Sequence, residues 1–102
     1  MNSDSTTSTY EGEKSVIKPK RFVVSRFVSE QALILDTSQD EIRQLNEVGS
    51  FIWSLVLKSK HTHDDMLAAI IDHFDVTREI ARSDLNLFLE ELSSADLIEY
   101  TD

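Results

Sequence analysis

The sequence predicts an α+β domain in which a three-stranded antiparallel sheet is followed by three helices. Three observations carry this reading. Residues 22–35 are dense in β-branched and aromatic side chains, residues 41–45 alternate in polarity, and from residue 46 onward apolar residues recur at helical spacing behind three good N-cap residues, Asn46, Thr62 and Thr77.

The first 15 residues are rich in Ser, Thr and acidic side chains, with Tyr10 their only aromatic, and offer too little apolar surface to offset the entropy of ordering. A disordered acidic tail over 1–18 is therefore expected, with the domain over 19–102. Lys18-Pro19-Lys20-Arg21 reads as a solvated basic approach to the first strand. That strand runs from about Arg21 to Val28. Ala32-Leu33-Ile34-Leu35 is apolar throughout, as expected of a central strand or one covered on both faces. Asp36-Thr37-Ser38-Gln39-Asp40 supplies turn residues, and Glu41-Ile42-Arg43-Gln44-Leu45 returns as a third strand. Its charges, Glu41 and Arg43, are what an edge strand carries to discourage accidental pairing.

Asn46 caps the first helix and Glu47 complements its dipole. Val48, Phe51, Ile52, Leu55 and Val56 form its apolar face, with Trp53 beside it, and Gly49 removes a side chain where another element can approach closely. Thr62-His63-Asp64-Asp65 is a capping box with Asp in place of Glu, opening a second helix whose stripe is Met66, Leu67, Ile70, Ile71 and Phe74. The third helix runs from Arg78 to about Ser94. Ala81, Leu85, Phe88 and Leu92 share one stripe, while Ile80 and Leu87 lie roughly 100° away from it. This helix therefore has two faces to cover, and Asp84 and Glu91 edge the second. Leu97-Ile98-Glu99-Tyr100 closes the chain as a short extended segment returning to the core.

Composition limits the function. A chain of 102 residues without cysteine makes one small domain with no disulfide framework, and the cytoplasm is the expected compartment. No run approaches the roughly 18 apolar residues of a membrane span, so no membrane partner is expected. A net charge of −9 opposes binding to phosphate backbones. His61, His63 and His73 would not share a helix face, and no nucleophile elbow surrounds any serine, so neither a metal, nor a cofactor, nor a catalytic residue is expected.

Leu33-Ile34-Leu35-Asp36, Leu45-Asn46 with Gly49 and Ile52-Trp53, Thr62 at the second helix, Asp84-Leu85 with Phe88-Leu89 and Leu92, and Leu97-Ile98 together resemble the PqqD-like family, also called RiPP recognition elements. The resemblance covers about Phe22 to Tyr100. It implies a winged helix-turn-helix domain that binds the leader of a ribosomally made precursor peptide and presents it to a modifying enzyme or leader peptidase. In that family the leader adds as a strand to the third strand and lies against the third helix. Carried onto this chain, the expected leader-binding residues are Glu41, Ile42, Arg43, Gln44 and Leu45 on the strand, and Ile80, Asp84, Leu87 and Glu91 on the helix. The Asn46-Glu47-Val48-Gly49 and Ile52-Trp53 combination looks more like the lasso-peptide proteins than those of pyrroloquinoline quinone or radical-SAM pathways. Two departures stand out: Asp96, where the family often has glycine at the last helix exit, and the acidic segment before residue 16. The competing reading is a winged-helix transcription regulator with the third helix in DNA. That helix sets Arg78 and Arg82 against Glu79, Asp84, Glu90 and Glu91, a poor charge pattern for a major groove.

Overall fold

The computed structural model describes residues 15–101, so most of the expected tail lies outside the described residues. The elements in order are β1 (Val16–Pro19), β2 (Val23–Val28), β3 (Gln31–Asp36), β4 (Glu41–Gln44), α1 (Glu47–Val56), α2 (His63–Phe74), α3 (Arg78–Ser94) and β5 (Ile98–Thr101). They form an α+β architecture with a three-stranded antiparallel sheet in the order β2-β3-β4, three helices, and a separate antiparallel pair, β1 with β5. No helix among the described residues is long and apolar enough to cross a membrane.

Strand β1 is a correction to the sequence reading, which placed residues 16–18 in the tail. Ile17 is fully buried, the strand pairs with β5 from Val16↔Thr101 to Pro19↔Ile98, and the Ile17 N–H donates to the His61 carbonyl at 3.0 Å. Burying one isoleucine is worth roughly 2–3 kcal/mol, enough to help hold a four-residue strand whose remaining positions are half-buried. Lys20 follows it and reaches Asp96 at 2.9 Å. The hydrogen bond to that carboxylate holds the Lys20 ammonium above its usual range. Asp96 has φ 63°, the left-handed conformation that glycine often supplies at a helix exit and that Asp tolerates better than most residues.

Central strand β3 alternates, with Ala32, Ile34 and Asp36 buried toward the helices and Gln31, Leu33 and Leu35 half-buried on the opposite face. Buried Asp36 accepts from the Ser38 N–H at 2.9 Å and from the Ser38 hydroxyl at 2.6 Å, which fixes the turn into β4. At the end of β4 the ladder gives way to a side chain. The Leu45 N–H still donates to the Ala32 carbonyl at 2.9 Å, but the Ala32 N–H donates to buried Ser50 Oγ at 2.8 Å. The Leu45 carbonyl accepts instead from Gln31 Nε2 at 2.8 Å. Ser50 thereby ties α1 to the sheet where the strand turns away.

The three caps form as the sequence indicates: Asn46 accepts from Gly49, Thr62 and Asp65 make the reciprocal capping box, and Thr77 accepts from Ile80. The buried face of α1 is wider than its periodicity suggests. Ser50 and Trp53 are buried, whereas Val48 and Phe51 are only half-buried, because α1 packs on both β3 and α2. On α3 the core stripe is Ala81, Leu85, Leu89 and Leu92; Leu89 takes the place expected of Phe88.

A groove between the open edge of β4 and helix α3

Among the described residues, strand β4 has β3 on one side only. Its register, Ile34↔Arg43 and Leu33↔Gln44, together with the Leu45 N–H that points to β3, fixes which main-chain groups are engaged. Alternation along an antiparallel strand turns the N–H and C=O of Glu41 and Arg43 toward β3 and those of Ile42 and Gln44 outward. The side chains alternate as well. Arg43 shares the face of buried Ile34, on the side of the helices, and Ile42 and Gln44 share the opposite face with Leu35 and Leu33.

Across from that edge stands α3, and two adjoining hollows open between them. One, of about 380 Å³, is bounded by Arg43, Gln44, Leu45 and Asn46 on the strand side and by Phe88, Glu91 and Leu92 on the helix. The other adds Val48, Gly49 and Ile52 from α1, with Asp84 and Leu87 from α3. Of the expected leader-binding residues, the structure brings Arg43, Gln44, Leu45, Asp84, Leu87 and Glu91 together around this groove. Glu41 is exposed at the far end of β4, Ile42 is 71% exposed on the opposite face of the sheet, and Ile80 is half-exposed in the first turn of α3.

Sequence reasoning did not find the floor. Asn46, Val48, Gly49, Ile52, Phe88 and Leu92 line it, and the only local signal was Gly49. A Cβ at Gly49 would lie 3.1 Å from Asn46 Oδ1 and 3.1 Å from Phe88 Cε1, so glycine permits α3 to come this close to the start of α1. The rim is charged. Arg43 Nη1 and Glu91 Oε2 are 4.0 Å apart across the groove, both partly exposed, an arrangement worth less than about 1 kcal/mol. Such a pair is readily parted by an incoming chain.

The three histidines have other engagements. His63 donates from Nε2 to Asn86 Oδ1 at 2.6 Å, joining α2 to α3; His73 stacks on Phe51 at 4.3 Å; and His61 Nδ1 lies 3.9 Å from Asp65 Oδ2. Among the described residues no group of three His, Cys, Asp or Glu side chains is placed to hold a metal ion. The groove has mostly apolar side chains at its base, charges at its rim and, among the described residues, a strand edge without a partner strand along one wall.

Residues 31–98 match the protein family described as coenzyme PQQ synthesis protein D, PqqD. The chain belongs to the PqqD family. The match begins at β3 and ends at the first residue of β5, so it contains both walls of the groove. No curated protein sequence matches the chain. Among solved structures, this PqqD-family chain is similar to TbiB1 in complex with the TbiA(beta) leader peptide, at 30% identity and a TM-score of 0.75, covering 83% of this chain and 99% of that one. It also shares its fold with a lasso peptide synthetase B1 complexed with the leader peptide, at 18% identity and a TM-score of 0.72, covering 81% of this chain and 96% of that one.

Proposed function

We propose that this protein is a peptide-binding adaptor that captures the leader of a ribosomally made precursor peptide as an added strand on β4. It presents that peptide to the modifying enzyme or leader peptidase of the same pathway. The observation that carries the reading is the open edge of β4 facing α3 across a groove with an apolar base. Main-chain groups of Ile42 and Gln44 supply hydrogen bonds to any extended chain; pockets toward Phe88, Leu87 and Ile52 select among sequences. TbiB1, with 30% identity over nearly its whole length, was solved with a leader peptide bound, which supports the same role here.

We read the helices and the adjoining strands as a winged helix-turn-helix put to peptide binding. The charges at the rim, half-buried Arg43 and exposed Asp84 and Glu91, serve recognition, and no catalytic step is assigned to them. The cytoplasm is the compartment that fits a cysteine-free adaptor. A lasso-type pathway is preferred on the Asn46-Glu47-Val48-Gly49 and Ile52-Trp53 combination.

The test is calorimetric titration with the leader segment of the precursor peptide encoded beside this protein. Binding at about micromolar or tighter, near −8 kcal/mol, is expected. Leu87→Asp puts a carboxylate against the apolar base of the groove and should weaken binding about tenfold or more, with the circular dichroism of the fold unchanged. Gln44→Pro removes an outward N–H that no other strand among the described residues uses, a substitution that edge strands tolerate, and should weaken binding to a similar degree. Unchanged affinity in both variants would sink the reading.

A further inference from the structure

The three-stranded sheet has a second edge. Strand β2 bounds it opposite β4, and among the described residues it pairs with β3 alone. The Thr37 N–H donates to the Phe22 carbonyl at 3.1 Å. Alternation from there turns the main-chain groups of Val24, Arg26 and Val28 toward β3 and those of Val23, Ser25 and Phe27 outward. The Val23 N–H is committed to the Lys20 carbonyl at 3.1 Å, so Ser25 and Phe27 are the donors this edge offers to a further strand. Arg26 is the one charge among the six residues of β2, whereas β4 carries Glu41 and Arg43 among four. The apolar side chains of β2 are open on both faces: Phe27 is 42% exposed on the side of the helices, Val24 54% and Val28 53% on the other. An edge this long and this apolar is a template for pairing with another strand.

We propose that this edge receives a second copy of the chain, β2 pairing antiparallel with its counterpart about a two-fold axis through Ser25. The register follows from the groups on the edge. With Ser25 opposite Ser25, each Ser25 N–H donates to the other copy's Ser25 carbonyl, and each Phe27 N–H to the other copy's Val23 carbonyl. These four hydrogen bonds use both offered donors in each copy. Phe27 then lies opposite Val23 on one face, and Val24 opposite Arg26 on the other. A slip of one residue sets opposite faces against each other. A slip of two residues one way puts Arg26 on Arg26; two the other way sets Ser25 against Val23, whose N–H is already taken.

Charge at the two ends of β2 selects a second copy over any other strand. Arg21 precedes the strand and Glu30 follows it in the hairpin turn, both exposed. In the Ser25 register each Glu30 comes beside the other copy's Arg21, so symmetry closes both ends of the contact with an opposite-charge pair. Between those ends the edge carries no acidic residue. The charge of −9 on each copy therefore acts from a distance, and at about 0.15 M salt it is screened beyond about 8 Å. Pairing produces one six-stranded sheet, β4-β3-β2 of one copy running into β2-β3-β4 of the next. Both β4 edges stay open at its opposite ends, so two peptides and two chains can be held together. A contact confined to one strand from each copy is small and belongs to the weak, transient class of interface.

The experiment is sedimentation equilibrium of the full chain at about 0.15 M salt and at concentrations up to about 1 mM, which reaches the weak end of specific association. The weight-average mass should rise with concentration from that of one chain toward that of two. Ser25→Pro removes two of the four hydrogen bonds, at a position where an edge strand tolerates proline, and should raise the dissociation constant about tenfold. Arg21→Glu and Glu30→Lys each set like charges together at both ends and should weaken association several-fold, while the double variant restores opposite pairs and recovers the parent value. Because association is measured without leader, it is read separately from peptide binding. The mass of one chain at every concentration overturns the proposal. So does self-association that Ser25→Pro and both charge reversals leave unchanged, which would place the contact elsewhere. Dissociation of the pair by saturating leader overturns it as well, since the contact would then lie on β4. Should Ser25→Pro fail to fold by circular dichroism, the charge reversals and their mutual rescue still decide.

Discussion

Gly49 sets how near α3 comes to the start of α1, and with it the depth of the groove. A methyl group there meets two neighbours of unequal freedom. Asn46 Oδ1 is held by the Gly49 N–H at 2.8 Å and cannot withdraw without releasing the helix cap, whereas the half-buried Phe88 ring borders the groove and has space to turn into it. Alanine is favoured over glycine inside a helix by about 1 kcal/mol, which offsets most of the cost of displacing the ring. Gly49→Ala should therefore change stability by no more than about 1 kcal/mol in urea denaturation. On the proposed binding mode leader affinity should fall several-fold, because Phe88 then occupies part of the space that mode gives to the peptide. A large loss of stability with affinity intact would place Phe88 in the core and not in the binding site.

At the scale of elements, the hairpin joining β2 to β3 is the least conventional piece. Val28 pairs with Gln31 around a two-residue loop, and Ser29 and Glu30 have φ of 53° and 69°. Both central residues of a type I′ turn need positive φ, which Asn-Gly supplies easily and Ser-Glu does not. Replacing Ser29 by Asn and Glu30 by Gly should raise the unfolding free energy by about 1 kcal/mol, since left-handed backbone costs other residues roughly 1–2 kcal/mol each. The readouts are a higher denaturation midpoint and an unchanged leader titration; no gain in midpoint would show the turn to be unstrained. This loop also explains what the sequence revealed. Strands β2 to β4 and all three helices were legible because their signals are local: alternation, β-branched runs, and caps at Asn46, Thr62 and Thr77. The Ser29-Glu30 turn carries no such signal. Strand β1 was invisible for a different reason: Val-Ile-Lys-Pro is too short to show a period, and its partner β5 lies at the other end of the chain. The groove divides in the same way. Its walls were readable in the charged edge strand and the second face of α3, but its floor depends on how α1 meets α3. Phe88 was read as core because it falls within about 20° of the Ala81 stripe, while packing gave that place to Leu89.

Across the whole molecule, the same three helices that can be read as a DNA-binding unit are arranged against that use. Asp84, Leu87 and Glu91 of α3 face the groove beside β4, so this side of the helix is turned toward the strand. The charges agree with the geometry, since Arg78 and Arg82 on α3 are outnumbered by Glu79, Asp84, Glu90 and Glu91, and the chain carries −9 overall. Affinity for duplex comes mainly from Lys and Arg displacing counterions, and non-specific binders reach dissociation constants of about 10⁻⁴ to 10⁻⁶ M at physiological salt. This protein should show no duplex binding by fluorescence anisotropy even at about 50 mM salt, where any counterion-driven term is stronger than at physiological salt. Leader binding should lose little affinity over the same salt range, because it rests on main-chain hydrogen bonds and apolar contact and its exposed ion pairs contribute less than about 1 kcal/mol each. Duplex binding that weakens steeply with salt, alongside leader binding that is absent, would turn the assignment toward a transcription regulator. Salt-insensitive leader binding in a protein blind to duplex is the pattern that an open strand edge and an acidic helix jointly dictate.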